Sequence, residues 1–114
     1  MGPFISIQPN GLLCRYSTIV EDITHYNVTD EDYIAFSTSR ISREECIDTI
    51  NNYIFEFSDV EKKFELAKET GYNYDSMKEK MDLMKIPVEE LLDKANIHGK
   101  ERDKVIEFVN KQLK

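Results

Sequence analysis

Phe4-Ile5-Ser6-Ile7-Gln8, the turn Pro9-Asn10-Gly11, and Leu12-Leu13-Cys14-Arg15-Tyr16-Ser17-Thr18-Ile19-Val20 form the stretch that decides the fold of this chain. Two runs rich in β-branched, aromatic and apolar residues around a Pro-Asn-Gly turn specify a β-hairpin. Ile5 and Ile7 alternate with Phe4, Ser6 and Gln8, and Leu12, Cys14 and Tyr16 alternate with Leu13, Arg15 and Ser17, so each strand is expected to bury one face. An isolated hairpin is marginal in water. Its edge calls for a third strand, for which Ile23-Thr24-His25-Tyr26 is suited, for a packed helix, or for a second copy of the chain in a homodimer.

Beyond Val28 the apolar period changes from two to that of a helix. Thr29 before Asp30, Glu31 and Asp32 is a helix start, with a hydroxyl cap and three acids at the positive end of the macrodipole. Tyr33, Ile34 and Phe36 point inward from this short helix until Ser37-Thr38-Ser39 interrupts it. Ser42-Arg43-Glu44-Glu45 is a capping box, and Cys46, Ile47, Ile50, Tyr53, Ile54 and Phe57 follow it as one wide apolar stripe. Ser58-Asp59-Val60-Glu61 repeats the signature and opens a helix with Val60, Phe64 and Ala67 inward, stopped at Thr70-Gly71. After Tyr72-Asn73-Tyr74, Met77, Met81 and Met84 lie on one helical face, Pro87 begins a helix through Ala95, and a last helix from about Lys100 to Leu113 buries Val105, Ile106, Val109 and Leu113. The expected fold is α+β, an N-terminal β-hairpin with room for a third strand followed by about five helices. One domain spans 1–114, divided into a β region (1–28), acidic helices (29–71) and a C-terminal helical hairpin (72–114).

Apolar residues make up 40% of the chain and twelve are aromatic, which is too many for a disordered acidic tail. No apolar run is long enough to span a bilayer, and Met1-Gly2-Pro3-Phe4 has neither the charged nor the apolar region of a secretory leader, so a cytoplasmic location and no membrane partner are expected. Gly2, followed directly by Pro3, does not open a myristoylation motif. Cys14 and Cys46 are expected as buried free thiols. Asn27-Val28-Thr29 matches a glycosylation sequon by coincidence, with Thr29 serving as a cap.

Little in the chain suggests catalysis. Cys14, His25, Cys46 and His98 lack the close spacing of a zinc site, and Asp30, Glu31 and Asp32 lack the pattern of a calcium loop, so no metal and no cofactor are expected. Cys14 with His25 is the one thiol–imidazole pair that a hairpin brings together, but no oxyanion turn follows it. The glycines are scattered singly, without a phosphate loop. Residues 86–114 have the outline of a helix-turn-helix, which keeps a small DNA-binding regulator as an alternative. Lys100-Glu101-Arg102-Asp103-Lys104, however, alternates in sign where a recognition helix needs positive charge. The methionine stripe reads as core, with a plastic partner groove as its functional alternative.

Charge is the strongest functional signal. Residues 16–61 carry eleven acids against Arg40 and Arg43, while the rest of the chain is close to neutral and the total is −7. The surface expected to bind a partner comprises Glu21, Asp22, Asp30, Glu31, Asp32, Glu44, Glu45, Asp48, Asn51 and Asn52, with Tyr26 and Tyr33 supplying aromatic contact. Such a surface repels nucleic acid and fits a protein with a basic surface, acting in the manner of a DNA mimic. Solubilisation alone is the plainer explanation of the same acids.

The run Asn10-Gly11-Leu12-Leu13-Cys14-Arg15-Tyr16-Ser17-Thr18-Ile19-Val20-Glu21-Asp22, with Tyr26-Asn27-Val28-Thr29-Asp30-Glu31-Asp32-Tyr33-Ile34 after it, resembles the opening of small proteins from phages and prophages of low-GC Gram-positive bacteria. The resemblance covers about the first third of the chain and implies no catalytic or binding residue. What it implies is context, since small acidic phage proteins are often inhibitors of host nucleic-acid machinery or of immunity nucleases, as anti-CRISPR proteins are. The expected function is therefore a non-enzymatic protein-binding module, with a self-associating phage assembly protein as an alternative.

Overall fold

The hairpin gains its third strand. In the computed structural model, which describes residues 3–113, β1 (Phe4–Ile7), β2 (Leu13–Ser17) and β3 (Asp22–Val28) form an antiparallel sheet in the order β1-β2-β3. Gly2 lies outside the described residues. Strand β2 stops at Ser17 rather than Val20, because the Ser17 hydroxyl accepts the N–H groups of Ile19 (3.2 Å) and Val20 (3.4 Å) and turns the chain. Ile19 is consequently exposed.

Among the described residues six helices follow: α1 (Asp30–Ser37), α2 (Arg43–Asn52), α3 (Phe57–Thr70), α4 (Tyr74–Leu83), α5 (Val88–Lys94) and α6 (Gly99–Gln112). Thr29 caps α1 in a full capping box with Asp32, and the Ser42 hydroxyl caps α2 by accepting from Glu45 N–H. The expected stripe from Cys46 to Phe57 is not one helix. Helix α2 ends at Asn52, and Phe55 bridges β1 instead: Phe55 N–H donates to the Ile5 carbonyl (2.8 Å) and Ile7 N–H donates to the Phe55 carbonyl (3.2 Å). This bridge covers the outer edge of β1. Helix α3 accordingly begins at Phe57, with Glu56 at its cap and no side-chain cap bond, so the expected Ser58 capping box does not form.

Both faces of the sheet are buried, not one. Alternate residues separate two cores. Cys14, Tyr16 and Ile23 face Val60, Ala67, Met77, Met81 and Met84 from α3 and α4, which we term the methionine face. Ile5 and Leu13 face Tyr33, Ile34, Cys46, Ile50, Val88, Leu92, Phe108 and Val109 from α1, α2, α5 and α6, the leucine face. The expected C-terminal helical hairpin therefore divides, with α4 on one face beside α3 and the α5–α6 hairpin on the other. Val109 and Phe108 are the buried residues of α6, while Leu113 is exposed. The glycine of the hairpin turn lets α6 approach: at Gly11, with φ +88°, an added Cβ would lie 2.5 Å from Val109 Cγ1.

Two polar clasps fix the layers. Asn27, in the left-handed region at φ 54° where the β2–β3 register shifts, accepts through Oδ1 from Gln8 Nε2 (2.7 Å) and Asn10 Nδ2 (3.1 Å). Its own Nδ2 donates to the Leu83 carbonyl, as Asn10 Nδ2 does to that of Ile86. Buried amides without such partners would each cost about 1–3 kcal/mol, so the network selects one arrangement of turn, strand and α4–α5 loop. At the other end of β3, Asp22 Oδ2 accepts from Ser76 (2.7 Å) and Lys80 (3.3 Å), while Ile23 directs its N–H to Asp22 Oδ1 and its carbonyl to Lys80 Nζ. That closes the outer edge of β3 at Ile23. Among the described residues no helix is long and apolar enough to cross a membrane.

Candidate functional site

The acidic residues fall into two groups at opposite ends of β3, separated by about 20 Å at roughly 3.3 Å per strand residue. Glu21 occupies the β2–β3 turn in the left-handed region, where Asn73 Nδ2 holds its carbonyl and that of Val20. Asp22 beside it is largely enclosed, its side chain 15% exposed and bonded to Ser76 and Lys80. It serves the fold rather than a surface. Burial first, then Glu21 and Asp22, pushes the neighbouring Tyr16 hydroxyl above its usual range.

The second group converges at the starts of α1 and α2. Asp32 Oδ2 accepts the N–H of Thr29 (3.0 Å) and Asp30 Oδ1 that of Glu31 (2.9 Å). Glu31 then pairs with Arg43 at 3.1 Å, which joins the two helix starts and brings Glu44 and Glu45 into the same corner. Asp48 follows one turn along and accepts from Asn52 Nδ2 (2.7 Å); Asn51 is exposed beside it. Tyr26 stays at the surface, but Tyr33 is buried and packs edge-on against Phe36, so it is not a surface contact.

This corner borders a groove of about 390 Å3 against the α5–α6 hairpin. Its floor is apolar, made by Val88, Leu91, Leu92, Ile97 and Val105. Asp30, Glu31, Asp32 and Glu101 stand around it, with Lys104 as the lone cation among the described lining residues. The acids of α1 are legible in the sequence, whereas Val105 reads as an interior residue of the last helix and Ile97 as part of the break before it. The groove arises only when the α5–α6 hairpin docks beside Thr29 on the same face of the sheet. Arg102, which a DNA-reading helix would direct at a phosphate, is instead paired with Asp93 at 2.7 Å.

The sheet separates Cys14 from His25. Cys14 lies on the methionine face, where burial pushes its thiol up to about 12. His25 pairs with Arg15 in the register, on the leucine face, and stacks on Phe36 at 4.0 Å. They cannot act as a nucleophile and its base. Among the described residues no three His, Cys, Asp or Glu side chains gather as a metal site. Comparison with protein families, curated proteins and solved structures finds no match to this chain.

Proposed function

We propose that this chain is a non-enzymatic protein-binding module whose acid-rimmed groove receives a basic, amphipathic segment of a partner protein. The observation that carries the reading is the apolar floor between α1 and the α5–α6 hairpin, walled by Asp30, Glu31, Asp32 and Glu101. Apolar side chains of the partner would fill the floor, and its lysines or arginines would meet the carboxylates. Division of labour between the two is physical, because apolar burial supplies affinity while opposite charge steers encounter and rejects acidic competitors. Glu44, Glu45 and Asp48 extend the negative field along α2, with Asn51 and Asn52 as hydrogen-bonding groups at its far end.

The phage-like opening of the chain supplies the biological setting. In that setting the partner is a host nucleic-acid-binding or immunity protein whose basic surface is occupied and inhibited in the host cytoplasm. Affinity capture from a bacterial lysate at about 0.05 M and about 0.5 M salt tests this. The low-salt sample should retain a basic protein that high salt releases, and Asp30→Lys with Glu101→Lys should lose it. Retention that ignores both salt and charge reversal would sink the reading.

A further inference from the structure

A second groove, of about 700 Å3, opens on the leucine face between the sheet and the α1–α2 connection. Its walls include Arg15, His25, Phe36, Arg40, Tyr53 and Phe55, and among the described residues no carboxylate lines it. In a chain with 22 acids against 15 lysines and arginines, two guanidinium groups in an acid-free groove are unusual. Arg15 spends one bond on Thr24 Oγ1 (2.9 Å), and Thr24 Oγ1 in turn meets His25 Nδ1 at 3.0 Å. Neither arginine is in an ion pair among the described residues, and the Arg40 guanidinium has no hydrogen-bond acceptor there. Their remaining N–H donors form forks suited to a carboxylate or phosphate. Beside them, Tyr53 and Phe55 are 63% and 44% exposed, large ring surfaces at the mouth of the groove.

We propose that this groove binds a small organic anion with a flat aromatic body, its carboxylate or phosphate held by Arg15 and Arg40 and its ring laid against Tyr53 and Phe55. The volume lies within the range of about 300–1,000 Å3 typical of small-ligand sites. Aromatic walls lower the local dielectric and strengthen the charge-assisted bonds. The surrounding acids oppose a polynucleotide but not a single anionic group seated between guanidiniums. Two sources offer this chemistry, a mononucleotide or the C-terminal aromatic residue of a peptide.

Amide and side-chain NMR of the full chain, titrated separately with AMP, adenosine, N-acetylphenylalanine and N-acetylphenylalaninamide, tests the proposal. In at least one pair the anion should bind about tenfold tighter than its neutral counterpart, shifting signals of Thr24, His25, Arg40 and Tyr53. A preference within the AMP pair identifies the nucleotide source, and one within the phenylalanine pair identifies the peptide terminus. Arg40→Gln, at an exposed position, should fold with an unchanged melting temperature and reduce the anion to the affinity of its neutral partner. Equal affinities within both pairs, no binding up to about 10 mM, shifts elsewhere on the molecule, or an unaffected Arg40→Gln variant each overturn it.

Discussion

The two faces of the sheet share three strands and close in different ways. On the methionine face two helices, α3 and α4, lay Val60, Ala67, Met77, Met81 and Met84 over Cys14, Tyr16 and Ile23; the groove bordering this layer at Tyr16 and Ala67 is only about 150 Å3. Unbranched methionines adapt to the sheet and leave little space. On the leucine face four helices share the covering, and where their ends meet they leave the grooves of about 390 and 700 Å3. Two helices laid side by side make a scaffold. Four that meet at their ends make edges, and edges hold the charged and aromatic groups that a partner can meet.

Substitutions that break this contrast should separate stability from binding. Met77→Ala, at a fully buried position of the methionine face, should lower unfolding free energy by about 2–5 kcal/mol in a denaturant titration. Partner capture by the protein that remains folded should be unchanged. Gly11→Ala should cost about 2–4 kcal/mol, from left-handed strain and from the collision with Val109. That loss belongs to the leucine face and should also disturb the docking of α6 beside the acidic groove. Asn27→Ala should cost about 1–3 kcal/mol, because the Gln8 and Asn10 amides lose their shared acceptor. Asn27→Gly, which tolerates the same backbone, should recover only the part due to strain.

The smallest effect is pH-dependent. Burial first, and then Arg15, holds His25 below its usual value of 6.5. The folded protein thus binds fewer protons than the unfolded chain, so the His25 contribution is fully present above that value and is lost as pH falls through 6.5 toward the lowered value. Melting temperature followed from pH 8 to 5 should fall less for His25→Gln than for the unaltered protein. An identical pH dependence would remove His25 from the account.

Much of this fold is legible in local sequence. Thr29 and Ser42 announce their helices because a cap is a contact within four residues, and the spacing of Met77, Met81 and Met84 identifies their buried face correctly. What local sequence conceals is long-range. The apolar series Cys46, Ile50, Ile54 and Phe57 keeps helical spacing across a break that exists only because Phe55 hydrogen-bonds to β1. Ser6 and Gln8 look like the wet side of a hairpin, yet both are buried, Ser6 opposite Cys14 and Gln8 within the Asn10–Asn27 clasp. The acids show the same limit. Their sum was plain, but it did not reveal that Asp22 is spent on Ser76 and Lys80 while Asp30, Glu31 and Asp32 border an apolar groove.

The division between scaffold and binding face is tested most directly by amide hydrogen exchange of the chain alone and in complex with the protein it captures at low salt. Added protection should be confined to the start of α1, to α5 and to the first turns of α6, with α3 and α4 unchanged. Protection centred on α3 and α4, with the α1 and α5–α6 segments exchanging as in the free chain, would contradict the account.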